Sequence, residues 1–252
     1  MKKAFIVTST IDVSDNPLTY SNVRSIFSTE QRLQQTVFTI ASLDLIGDND
    51  TSIFLVDTSD NSDRYKNLFK YQKNLFYVSV KDEFPEIFNI CRTHPNKSFC
   101  ESLLLINFID KYKSILEYHD YIFKLSGRYF TDSSFDTAIF NQDNRSKLFF
   151  KRPLEFEWNN DWPFYMVDQR ETQGNNKLYQ YSSVLYGFGK DYLDRMLDIY
   201  RVISTFTNHP QGIKYDVETL LYFFTNQYRQ DVVETDWKVY GWQGVDGTFL
   251  RY

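Results

Sequence analysis

Cysteine is nearly absent from this chain, at two residues in 252. Cys91 and Cys100 alone cannot build a disulfide framework. Glycine and proline are scarce, at 9 and 6, which excludes long flexible linkers and low-complexity tails. No apolar run approaches the length of a membrane-spanning helix. After Met1-Lys2-Lys3 only Ala4 to Val7 are apolar, too few for the core of a secretion signal. A cytoplasmic location is the expectation that follows. A basic excess is missing too: 28 Lys and Arg stand against 33 Asp and Glu, a net charge of −5. Phosphate backbones are held by Lys and Arg, so an extended nucleic-acid surface is disfavoured. A small basic pocket for a phosphorylated ligand is still allowed. Three histidines and two cysteines do not make a zinc site, and Cys91 with His94 reads as structural. No P-loop, G-x-S-x-G, H-E-x-x-H or G-x-G-x-x-G segment occurs.

Aromatic residues are plentiful, with 23 Phe, 19 Tyr and 4 Trp. The length suits one α/β domain spanning 1–252. Lys3 to Thr8 is a short apolar run ending in the polar cluster Thr8-Ser9-Thr10, as a buried strand delivering a loop would be. Residues 28–46 show helical spacing. Leu33, Val37, Ile40, Ala41 and Leu45 form the expected buried face, and Ser28 with Gln31 fits a capping box. Ser52 to Asp57 predicts a second buried strand. Strand, helix and strand make a βαβ unit, hence a parallel sheet. A third strand is expected over 74–80, a long helix over 99–112 and a strand over 119–125. One strand over 178–188, a helix over 190–206 and a helix over 216–228 capped by Asp216 follow. The tail reads as a strand and a glycine-containing turn.

In an open parallel sheet, ligands collect at the carboxyl ends of the strands. Three predicted strand ends carry polar clusters: Thr8 to Thr10, Asp57 to Asp60, and Lys124 to Arg128. Lys124 and Arg128 stand in the segment FKLSGRYF (123–130). One reading is a pair of charges that meet carboxylates on neighbouring elements. The other is capture of a diphosphate, with Gly127 allowing close backbone approach. Asp216 and Glu218 read either as a cap and a first-turn acid, or as a base held rigidly at a helix start. Arg32 and Gln35, and Lys97 with Glu101, read as solvated helix surface.

The strand-loop FIVTSTI, the helix EQRLQQTVFTIASL, the strand IFLVDTSD, the segment YIFKLSGRY and the acidic helix start YDVETLLY come in an order that resembles a GT-A-fold, nucleotide-sugar-dependent glycosyltransferase of bacterial or viral type. The resemblance implies a mostly parallel, Rossmann-like sheet flanked by helices. Residues 1–130 would form a nucleotide-binding half and 131–252 an acceptor half rich in aromatics. It implies sugar transfer from a nucleotide-sugar such as a UDP-sugar to a hydroxyl acceptor, with inversion. Thr8, Ser9, Thr10 and Asp57 would hold the nucleoside. Lys124, Ser126 and Arg128 would hold the diphosphate. Glu218 would be the base, with Asp216 the alternative. Trp158, Trp162 and Tyr165 would stack on the acceptor. The acceptor expected is a glycan, as in polysaccharide biosynthesis; a nucleobase is disfavoured by net charge, although basic residues recur over 145–152.

Members of that fold carry a D-x-D pair near this strand to hold manganese or magnesium. Here the strand end reads Lys124-Leu125-Ser126-Gly127-Arg128, so the implied cofactor lacks its motif, and the two cations could take over its charge. The alternative class is a non-catalytic module that binds a nucleotide or glycan in a viral or surface assembly.

Overall fold

The computed structural model describes residues 1–157, 177–208 and 216–251. Its first half alternates strands and helices: β1 (Lys3–Ser9), α1 (Thr29–Ile46), β2 (Thr51–Asp57), α2 (Ser62–Phe69), β3 (Leu75–Ser79), a single turn α3 (Val80–Glu83), α4 (Pro85–Thr93), α5 (Lys97–Leu116) and β4 (Tyr121–Ser126). Then come β5 (Tyr129–Thr131), β6 (Leu148–Lys151), β7 (Leu154–Glu157), β8 (Lys177–Gln180), β9 (Leu185–Gly189), α6 (Leu193–Asn208), α7 (Val217–Asn226), β10 (Val232–Thr235), β11 (Val239–Trp242) and β12 (Phe249–Arg251).

Seven strands form the central sheet in the order β10-β6-β9-β4-β1-β2-β3. β1 pairs in parallel with β2 and β4, β2 with β3, and β6 with β10. Within this sheet β9 runs against its neighbours β4 and β6. The fold is therefore α/β with a mostly parallel sheet flanked by helices. Four of its strands lie before residue 130 and three after. Among the described residues no helix is long and apolar enough to cross a membrane.

Both faces of the sheet are covered, which is why its strands are continuously apolar. Successive side chains of a strand point to opposite faces. Ala4 and Ile6 of β1 join a core with Phe108 of α5, Met196 of α6 and Leu221 of α7. Phe5 and Val7 join the opposite core with Ile40 and Leu43 of α1. Phe5 and Phe123 stack there at 4.9 Å between ring centroids. Fully burying one such phenylalanine contributes about 2–3 kcal/mol.

Helix α1 begins with the expected capping box. Gln31 N donates to Ser28 Oγ at 3.3 Å, and Ser28 N donates to Gln31 Oε1 at 2.9 Å. Its buried face is only partly the one the apolar spacing predicts: Ile40 is buried and Leu33 packs partly buried against the core. Arg32, Gln35, Thr36, Thr39 and Ser42 are buried with Ile40 and Leu43, whereas Val37 is exposed and Leu45 is 87% exposed. The helix lies over the ends of β1 and β4, where backbone groups need partners. Thr36 Oγ1 donates to Gly127 O at 3.2 Å and shares a hydrogen with Ser9 Oγ at 3.1 Å.

The expected strand over 178–188 is two strands. β8 pairs with β7 in a separate ribbon, and β9 enters the main sheet. The break between them swings Ser183 under β4, where its carbonyl accepts from Lys124 Nζ at 2.6 Å.

Candidate functional site

The carboxyl ends of β1 and β4 open into a cavity of about 160 Å³. Thr8, Ser9 and Thr10 from β1 and its loop, Ser126 at the end of β4 and Arg128 after that strand line it. Four more cations reach it: Arg24 from the loop after β1, Arg32 from α1, Arg92 from α4 and Lys97 from the start of α5. Lys97, Glu101, Ser126 and Arg128 also line a second cavity of about 520 Å³ that contains Asp216 and Glu218. The two cavities thus form one cleft, cationic at one end and acidic at the other.

The cations are held rigidly. Arg32 donates from Nε and Nη2 to the carbonyl of Thr10, at 3.0 and 2.7 Å. Its Nη1 is buried without a hydrogen-bond partner among the described residues, and the side chain is only 4% exposed. Arg24 donates to the carbonyls of Asn16, Cys91 and His94. Lys97 Nζ donates to the Arg24 carbonyl at 2.8 Å, and Arg128 Nε to that of Trp242 at 3.2 Å. Burial, then the charge of Arg128, pushes the Arg32 guanidinium well below its usual range. Burial, followed by the charges of Arg128, Arg32 and Arg24, brings the Lys97 ammonium down to about 7. Like charges crowded this way, around an unpaired buried N–H, are relieved by a bound anion.

At the acidic end, Asp216 caps α7. Its Oδ1 accepts from Thr219 N at 2.7 Å and its Oδ2 from Gln180 Nε2 at 2.8 Å. Glu218 sits in the first turn of α7 and accepts from the Ser183 hydroxyl. Burial, then the charge of Asp216, raises its carboxyl to about 7. Asp216 has both oxygens engaged, one by the α7 backbone and one by Gln180, whereas Glu218 lines the second cavity with a raised carboxyl.

Several sequence expectations change. Lys124 does not line either cavity. It is 1% exposed and lies 2.5 Å from Glu101 Oε1, also donating to Ser126 Oγ at 2.8 Å. A neighbouring carboxylate has claimed it. Asp57 is fully buried and accepts from Ser59 Oγ at 2.9 Å, Tyr77 Oη at 2.8 Å and Ile11 N at 3.3 Å. It therefore braces the loop after β1 from beneath, away from the cavity wall. Arg32 and Gln35 are buried rather than solvated. Lys97 and Glu101 sit where the two cavities meet. Trp158, Trp162 and Tyr165 lie outside the described residues; of those described, Tyr20 and Tyr129 line the acidic cavity. Of the basic residues of 145–152, Arg145 pairs with Asp120 at 2.6 Å, Lys147 with Asp231 at 3.3 Å and Arg152 with Glu234 at 3.6 Å.

Manganese and magnesium take oxygen ligands, whereas the cationic end of the cleft offers mainly guanidinium and ammonium groups. Among the described residues no group of three His, Cys, Asp or Glu side chains could hold a metal, and the strand end that would face one presents Arg128 instead.

Arg24, Arg32, Arg92 and Lys97 were missed because they come from four separate elements. The signal for Arg32 was a polar stripe at helical spacing: Arg32, Gln35, Thr36, Thr39 and Ser42 recur as core residues normally do.

No family model matches the sequence, and no curated protein matches it. Solved structures of similar shape include mouse Xyloside xylosyltransferase 1 in its apo form, at 8% identity and a TM-score of 0.49, over 93% of this chain and 84% of that one. They also include the glycosyltransferase GlyE of Streptococcus pneumoniae TIGR4, at 8% identity and a TM-score of 0.48, over 94% of this chain and 45% of that one. The apo form of GlyE aligns at 10% identity with a TM-score of 0.49. The chain spans less than half the length of the GlyE structure.

Proposed function

We propose that this protein is a glycosyltransferase that moves a sugar from a nucleotide-sugar to a hydroxyl acceptor, with inversion and without a metal. The observation that carries the reading is the cleft that joins a cluster of five cations to a carboxylate of raised pKa.

In this reading the nucleoside lies against Thr8, Ser9 and Thr10. Arg128, Arg32 and Lys97 hold the diphosphate, with Arg24 and Arg92 beside them, and Ser126 marks the floor of the cleft. The acceptor enters beside Tyr20 and Tyr129. Its hydroxyl oxygen attacks the anomeric carbon from the face opposite the diphosphate. A new carbon–oxygen bond forms as the bond from the anomeric carbon to the phosphate oxygen breaks. The electron pair leaves on the nucleoside diphosphate, whose growing charge the guanidinium groups stabilise. Glu218 takes the hydroxyl proton, and a carboxyl near 7 suits a base working at neutral pH. Glu101, Asp216 and Glu218 line the acceptor end, so the acceptor is a neutral hydroxyl compound such as a glycan.

The test is turnover of UDP-, GDP- and CMP-sugars with and without manganese. UDP or GDP should be released from its sugar donor without added metal, and Glu218→Gln should abolish release while leaving nucleotide affinity nearly intact. Full activity of that variant would remove Glu218 from its role. Strict dependence on manganese would sink metal independence. Nucleotide binding without any turnover would favour the non-catalytic module.

A further inference from the structure

Both cysteines of the chain stand in the wall of the cation-lined cavity, and the proposed transfer uses neither. Cys91 lies in the last turn of α4 and Cys100 in the first turn of α5. The sharp connection through Pro95 folds the second helix back so that the two residues face each other. Cys91 Sγ lies 3.6 Å from the Cys100 carbonyl oxygen, and Cys100 Sγ lies 3.9 Å from that of Cys91. Each sulfur therefore lies against the backbone of the other cysteine. Neither is bonded elsewhere in a disulfide.

The pair is asymmetric. Contact with Cys91 lowers the Cys100 thiol most; burial opposes this, and the charge of Arg24 supports it. The same contact raises the Cys91 thiol, as does burial. Cys100 stands at the N-terminal end of α5 and Cys91 at the C-terminal end of α4, so the helix dipoles favour negative charge on the Cys100 sulfur and disfavour it on Cys91. A protonated thiol next to a thiolate is a resolving partner.

We infer that Cys91 and Cys100 form a reversible disulfide in response to a hydroperoxide, and that this bond weakens anion binding in the adjoining cavity. The Cys100 sulfur attacks one oxygen of the hydroperoxide. The O–O bond breaks, the departing oxygen leaves as water or an alcohol after taking a proton, and Cys100 becomes a sulfenic acid. The Cys91 sulfur then attacks the Cys100 sulfur. The S–S bond forms as the S–O bond breaks, and the hydroxide released takes the Cys91 proton to leave as water. The two sulfurs give up two electrons in all, and the hydroperoxide is reduced by two. A dithiol reverses the change by exchange.

The bond reaches the cation cluster through backbone. Arg24 Nη1 donates to the Cys91 carbonyl at 3.2 Å, and its other terminal nitrogen donates to the His94 carbonyl. Lys97, three residues before Cys100, donates to the Arg24 carbonyl at 2.8 Å. Drawing the two sulfurs to bonding distance shifts the carbonyls that aim Arg24, and with it the support of Lys97. This control of affinity rests on the diphosphate reading; the cross-link itself does not.

The full chain is treated with hydrogen peroxide, digested and analysed by mass spectrometry, and UDP and inorganic pyrophosphate are titrated before and after. A peptide pair joined through Cys91 and Cys100, lost again on adding dithiothreitol, is the expected product. The UDP dissociation constant should rise at least about tenfold in the oxidised protein, a change of about 1.4 kcal/mol. Two thiols that stay open to alkylation, or that over-oxidise without a cross-link, overturn the inference. In Cys91→Ser the cross-link should vanish and Cys100 should pass on to the sulfinic acid. A cross-link with unchanged UDP affinity overturns control of the site. Failure of the reduced protein to bind either UDP or pyrophosphate brings down the diphosphate reading and the affinity control with it, while the mass result still decides the disulfide.

Discussion

Lys124 Nζ and Glu101 Oε1 lie 2.5 Å apart beneath the floor of the cleft. Lys124 is buried and Glu101 reaches the surface of both cavities. The pair pins the start of α5 to β4, and α5 carries Lys97 into the cleft. It therefore acts on the site by setting where α5 stands.

Removing one member of a buried pair leaves the other charge without compensation, which costs about 3–5 kcal/mol. Glu101→Gln, which strands the buried Lys124, should destabilise the fold by that order in urea denaturation. Lys124→Met with Glu101→Gln should recover part of the loss, because no charge is then stranded. A single variant within about 1 kcal/mol of the wild type would contradict the pairing.

Arg128 differs from Lys124 in lining both cavities. Arg128→Ala should weaken nucleoside diphosphate binding about 10- to 100-fold, the loss of one or two charge-assisted hydrogen bonds. Calorimetric titration with UDP measures it. Equal affinity in the variant would remove Arg128 from the anion site.

Turnover should follow a bell in pH. As the proposed base, Glu218 works only without its proton, so the rate should rise as pH passes about 7. In the proposed site Lys97 holds the anion only with its proton, so kcat/KM should fall once pH exceeds about 7 in the free enzyme. Bound diphosphate favours the protonated ammonium, so the falling limb should lie at higher pH in kcat than in kcat/KM. Lys97→Met should lose the basic limb. A profile flat from pH 6 to about 9 would contradict both assignments.

Stability carries the same titration with a definite sign. The folded protein holds the Glu218 proton up to about 7, whereas the ordinary value is 4.5. Between those values the folded state binds more protons than the unfolded one, so stability falls as pH rises through that window. The loss reaches up to about 3 kcal/mol above pH 7. Glu218→Gln should be more stable than the wild type at pH 8 and lose this slope. Urea unfolding at pH 5 and at pH 8 reads it, and a variant no more stable than the wild type at pH 8 would contradict it.

Much of the scaffold was legible in residue order. The apolar runs at Lys3–Ser9, Thr51–Asp57 and Tyr121–Ser126 are strands because a sheet covered on both faces needs apolar residues at every position. Ser28 and Asp216 cap helices because their side chains meet backbone N–H groups only three residues away. These are local facts, decided within one turn of the chain. The helix Pro85–Thr93 was not foreseen, because its stretch has only a short apolar pattern and a helix that brief depends on packing for its stability.

What local sequence could not decide was which charges meet. Lys124 and Arg128 are four residues apart and look alike as strand-end cations, yet one is bound to Glu101 and the other opens into the cleft. Arg32 looked like solvated helix surface, yet its guanidinium is buried against the Thr10 carbonyl. The amino-acid sequence by itself set the α/β alternation, the capped helix starts and the presence of cations and carboxylates in sufficient number. The tertiary structure alone brought Arg24, Arg32, Arg92 and Lys97 to join Arg128 in one cavity and turned Lys124 and Asp57 into its supports. The physical reason is that electrostatic interactions depend on distance and burial, and both are set by how separate elements pack together.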